Sequence, residues 1–283
     1  MRINLSELAA HIKIHLYFYV LIAFIIIINL PALAELIRDW TLDPNYSHGF
    51  LIIPISIYLI YRKRKELVFP SKPANQGIIL LAIGCFGIIF GTAASEYFST
   101  RFSLTLIITG LSLYYLGRDN FKKVWFAFFF LLFMIPIPAI IYYAATLPMQ
   151  LFASKITNNI LHLIGVASIR HGNIIHLPGY MLEVAEACSG LRSLSTLLAL
   201  AALYGHLTLP GTIRPLILFF SAIPIAIIAN IIRLTFTAVG AYAVSTELAE
   251  DFLHEVSGML VFISSFIILI ILGAILKWRK INF

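Results

Sequence analysis

Long apolar runs separated by short polar clusters make up most of the chain. A run of about 20 apolar residues, rising about 1.5 Å per residue as a helix, spans the roughly 30 Å hydrocarbon core of a bilayer. Eight such segments are expected, at about 16–36, 48–61, 76–94, 102–117, 123–144, 189–206, 213–238 and 256–276, the second of them short. The runs are continuous rather than alternating, which argues against a β-barrel. The pattern predicts an all-α integral membrane protein of about eight transmembrane helices, with residues 1–283 forming one membrane domain.

One region departs from this pattern. Residues 145–187 form the longest stretch without a span. "QLFASKITNNILHLIG" is amphipathic at helical spacing, and "IRHGNIIHLPGYMLEVAEA" mixes alternation with Gly and Pro, predicting short strands or turns. This segment is the expected extracytoplasmic cap. The first apolar run begins after an amphipathic stretch, and "INLPALAEL" is a poor cleavage site, so that run is read as a retained helix.

Composition agrees with the membrane reading: 60% of residues are hydrophobic and 12% charged, where a soluble domain carries about 25% charged residues. The formal charge of +7 does not point to nucleic acid, because the basic residues form short clusters beside apolar runs. With the N-terminus inside, inner loops hold fourteen Lys and Arg, concentrated at 62–65, 118–123 and 277–280. Outer segments hold only Arg38, Arg101, Lys155 and Arg170. This bias places both termini in the cytoplasm. Cys188 then lies at the outer start of the sixth span, Arg233 toward the outer end of the seventh, and His254 just before the outer start of the eighth.

Each of these residues has a plain reading and a chemical one. Cys188, followed by Ser189, Gly190 and a helix, either fills space or is a thiol activated by the helix N-terminus and nearby Arg192. Glu186 adds a further polar group to this stretch. Arg233 shares a helix face with Asn230; it either snorkels to headgroups or serves a site. His254, one turn before Ser257 and Gly258, is either an interfacial polar residue or an acid–base group. His171 and His176 in the cap remain alternatives, whereas His206 falls on the inner face. Cys85 sits mid-span, where cysteine acts as a small hydrophobe. No disulfide framework, metal site or cofactor is expected. Together, Cys, His and Arg suit acyl transfer: a thiolate attacks a carbonyl, histidine protonates the leaving amine and arginine stabilises the oxyanion. Sortases use the same residue types on an unrelated soluble fold.

The motifs resemble those of the exosortase/archaeosortase family of membrane-embedded cysteine transpeptidase-like enzymes. "ACSGLRS" at 187–193 is similar to that family's cysteine motif, "NIIR" at 230–233 to its Asn-x-x-Arg motif, and "HEVSG" at 254–258 to its histidine motif. "NYSHGFL" at 45–51, with His48, and "FMIPIP" at 133–138 also fit. Glu255 stands where the family commonly has Asp. The resemblance spans about residues 40–276 and implies catalytic Cys188, Arg233 and His254, with Ser189, Gly190, Arg192, Asn230, His48 and Glu186 in supporting or substrate-binding roles. It further implies an enzyme of the bacterial inner membrane, acting at its outer face on membrane-anchored proteins that carry PEP-CTERM-type C-terminal sorting signals. Members often accompany exopolysaccharide production.

Two readings from other classes stand beside this one. A transporter or flippase subunit of an exopolysaccharide export system would use Arg233 and Asn230 as an intramembrane substrate site. A noncatalytic scaffold would leave the alignment of Cys, Arg and His without purpose. Neither needs an activated thiol.

Overall fold

The computed structural model describes residues 5–184, 191–243 and 252–278. The chain forms two compact units, Met1–Pro136 and Ile137–Phe283.

The first unit begins with α1 (Leu5–Ile28) and α2 (Leu30–Leu42). They meet at Asn29 with a bend of 68°. Pro31 stands in the first turn of α2, where its missing N–H is tolerated but α1 cannot continue unbroken. The single retained span expected at 16–36 is thus a bent pair. After α3 (Gly49–Lys63) come α4 (Gln76–Ala93) and α5 (Tyr97–Phe130). These last two pack along a glycine seam. A Cβ at Gly77 would sit 2.5 Å from the Gly110 carbonyl oxygen, one at Gly84 2.6 Å from Ile107 Cγ1, and one at Gly91 2.6 Å from Thr100 Oγ1. Spacing small residues by seven keeps them on one helix face, so the backbones approach closely. Glu96 starts α5 by accepting the N–H groups of Phe98 and Ser99.

Within α5, Gly117 adopts φ 72° and ψ 165°, a conformation that favours glycine. It divides α5 at a kink, near the boundary expected between spans four and five. At Leu131–Met134 the chain tightens into a 3-10 turn and leaves helical geometry at Ile135. Pro136 and Pro138 disfavour helix at the residues before them, so the expected span 123–144 is interrupted.

The second unit opens with α6 (Ala139–Leu163) and a three-stranded antiparallel meander: β1 (Ile169–His171), β2 (Ile174–Leu177) and β3 (Tyr180–Glu183). These are the short strands expected in the cap segment, and they form the one sheet among the described residues of a mostly helical chain. Ile175 pairs with Arg170 on one side and Leu182 on the other. Three further helices follow: α7 (Leu191–Thr208), α8 (Ile213–Ala243) and α9 (Phe252–Trp278). Leu197 and Ala201 of α7, Leu218, Ala222 and Ala226 of α8, and Leu269 of α9 form their shared core.

Among the described residues, three helices are long and apolar enough to cross a membrane on their own: Gln76–Ala93, Ile213–Ala243 and Gly258–Trp278. The number rises to five if each of two bent helix pairs is one span. Eight were expected; among the described residues the interruptions at Asn29 and at Ile135–Pro138 and the shortness of α3 account for part of the difference.

Candidate active site

The cap sheet turns one face inward. Ile175, Leu177, Leu182 and Val184 are buried against Ile231, Leu234 and Ala238 of α8 and against Ala153 and Leu161 of α6. The pattern follows from two-residue alternation along β2 and β3. Val184 extends the hairpin ladder by donating its N–H to the Asn173 carbonyl at 2.9 Å. Its own carbonyl accepts from Asn173 Nδ2 at 3.4 Å. The strand that leads toward Cys188 is therefore fixed against the turn of α8 that carries Arg233.

Arg233 is only 8% exposed. A guanidinium enclosed by protein has not taken the geometry of a side chain extended to headgroups. A Cβ at Gly258 of α9 would lie 3.5 Å from Arg233 Nη1, so the side chain reaches the helix turn after His254. Asn230, one turn earlier on α8, is 1% exposed. Among the described residues neither its Oδ1 nor its Nδ2 has a hydrogen-bond partner. An unsatisfied buried polar group costs about 1–3 kcal/mol, and such groups call for a functional or structural explanation.

The structure thus brings together the end of β3, the Asn230–Arg233 turn and the α9 turn at Gly258. Glu186, Cys188, Ser189 and Gly190 lie outside the described residues. Arg192 is the second residue of α7 and His254 the third of α9, and the description of both stops at their backbone. His48 belongs to the other compact unit, where it precedes α3 and its Nε2 donates to the Phe133 carbonyl at 3.2 Å. His171 and His176 sit on the cap sheet with ring centroids 5.4 Å apart.

A family model for transmembrane exosortases matches residues 40–271, well over half of the chain. The chain belongs to the transmembrane exosortase family. It is a multi-pass membrane protein and a cysteine-type sorting peptidase. No curated protein sequence and no solved structure shows significant similarity to it.

Two features of this exosortase were not read from its sequence. The first is the inward stripe of α6. Thr146, Gln150, Ser154 and Thr157 are buried, while Ile140, Leu147 and Phe152 are exposed. The expected amphipathic helix exists, but its polar face turns into the protein. Ser154 donates to the Gly172 carbonyl at 3.0 Å, and among the described residues the Thr157 hydroxyl has no partner. Spacings of four, four and three carry this signal, but amphipathicity alone does not say which face turns inward. The second is Arg101, counted above only as an outer-loop charge. It is 5% exposed and its Nη1 lies 2.6 Å from Asp39 Oδ2, tying α2 to α5. Sixty-two positions separate the two residues, so no local pattern links them.

Proposed function

We propose that this exosortase cleaves the C-terminal sorting signal of exported, membrane-anchored proteins of the PEP-CTERM type. The reaction takes place at the outer face of the bacterial inner membrane, through a thioester on Cys188. The Cys188 thiolate attacks the scissile carbonyl carbon, forming a C–S bond while the π pair moves to oxygen. Arg233 donates hydrogen bonds to that oxyanion. Collapse expels the amine, which takes a proton from His254. An acceptor nucleophile, water or a transferable group, then loses its proton to His254 and attacks the thioester, and the thiolate departs.

The observation that supports this reading best is the burial of Arg233 near Gly258, one turn from His254 and one turn from Asn230, whose side chain has no hydrogen-bond partner among the described residues. A cation enclosed by protein is costly in an apolar span and fits a role toward charge that develops during reaction. Ser189, Gly190 and Arg192 would supply the helix start beside the thiol, and Glu186 would contact substrate.

The test co-expresses the exosortase with a tailed substrate. Cys188→Ala should abolish cleavage while the protein still accumulates in the membrane, and Cys85→Ala should cleave normally. Cleavage retained by the Cys188 variant would overturn the nucleophile assignment.

A further inference from the structure

A second candidate site lies wholly within the first unit. The segment 67–75 is strapped across the kink of α5. Val68 N–H donates to Asn120 Oδ1 at 3.0 Å, and Asn120 Nδ2 returns a bond to the Val68 carbonyl at 2.8 Å. Ser71 Oγ donates to the Tyr115 carbonyl at 3.1 Å, and the Ala74 N–H to that of Tyr114 at 3.3 Å. Lys123 Nζ donates to the Glu66 carbonyl at 2.6 Å. Gly117 lets the Lys72 carbonyl pass where a Cβ would collide with it.

This strap and kink line an open cavity of about 710 Å³. Lys72, Arg118 and Lys123 line it, with Asp119 as the one carboxylate. Among the described residues, neither Lys72 nor Arg118 is ion-paired, with Asp119 or any other acid. Asn75 and Gln76, at the start of α4, form one wall, and a helix N-terminus adds partial positive charge. Ile79, one turn into the same apolar helix, also lines the cavity and is well exposed. α4 is long and apolar enough to cross a membrane, so the cavity sits where a span meets water, with charge at its rim and an apolar wall running into the span.

We propose that this cavity binds a phosphate-bearing anion. The cations and the helix start would hold the phosphate oxygens, and the Ile79 wall fits the acyl chain of an anionic phospholipid. Basic pockets at the ends of spans recognise lipid headgroups in this way. Free phosphate shares the headgroup chemistry but has no use for the apolar wall.

The test uses the full-length protein in neutral detergent, titrated with phosphatidylglycerol, phosphatidylcholine or inorganic phosphate and read by retained lipid in native mass spectrometry and by thermal unfolding. Phosphatidylglycerol should bind and stabilise, and phosphatidylcholine should not. A variant carrying Lys72→Gln, Arg118→Gln and Lys123→Gln should bind phosphatidylglycerol about 100-fold more weakly, at roughly fivefold per basic residue. A variant of equal net charge, carrying Arg38→Gln, Lys155→Gln and Lys277→Gln, should bind normally. Asp119→Asn should tighten binding, a gain that misfolding cannot produce. Millimolar phosphate that displaces the lipid, or stabilises the protein alone and loses this effect in the pocket variant, would identify free phosphate as the ligand of the same site. Equal loss in both triple variants, no loss in the pocket variant, or no gain from Asp119→Asn would overturn the proposal.

Discussion

At Arg233 the chemical and structural roles separate under one substitution. Lysine keeps the charge but loses the planar fork of donors. If Arg233 holds an oxyanion, Arg233→Lys should insert normally and lose about 100- to 1000-fold in cleavage rate at matched enzyme levels. A near-wild-type rate would remove Arg233 from the catalytic set. Asn230 makes the complementary case. Its side chain is enclosed and, among the described residues, unpartnered, so Asn230→Leu should raise the unfolding midpoint by relieving a cost of about 1–3 kcal/mol, while cleavage falls. A variant both less stable and less active would mark Asn230 as a structural residue instead. The sequence disclosed that Asn230 and Arg233 share a face, because three positions apart on a helix means neighbouring. It did not disclose their burial, which depends on α6, α9 and the cap arriving from elsewhere in the chain.

Among the elements, α4 and α5 pack along their glycine seam. Gly84→Val should lower thermal stability by about 1–3 kcal/mol, since its Cβ would meet Ile107 and the Ser103 carbonyl. Ile83→Leu, on an exposed position of α4, should have little effect on the same measurement. A tolerated Gly84→Val would show that the seam can part without loss. The hydropathy of α4, α8 and α9 was legible as spans because each is an uninterrupted apolar helix. Prolines blurred the rest: Pro31, Pro136 and Pro138 sit inside apolar runs and break helices that average hydropathy joins. The cap strands were legible from alternation and glycine turns. Their packing onto α8 was not, because it depends on side chains more than forty positions apart.

For the whole molecule, the distribution of Lys and Arg is the decisive quantity. Reporter fusions should place residues 62–72 and the end near Lys277 in the cytoplasm, and His48, the 145–187 segment and Glu247–Glu255 outside. Residues 62–72 found outside would invert the topology and separate the cysteine segment from an exported substrate. The outward apolar and inward polar arrangement of α6 reaches further than any one of these assays. Across variants of this exosortase, mutational tolerance along α6 should run opposite to that of a water-soluble helix. Positions 140, 147 and 152 would exchange freely among aliphatic residues and reject charge. Positions 146, 150, 154 and 157 would reject the aliphatic replacements that conventional scoring treats as mild in a membrane protein. Natural variation in α6 would therefore be misjudged by any scale that equates hydrophobicity with burial.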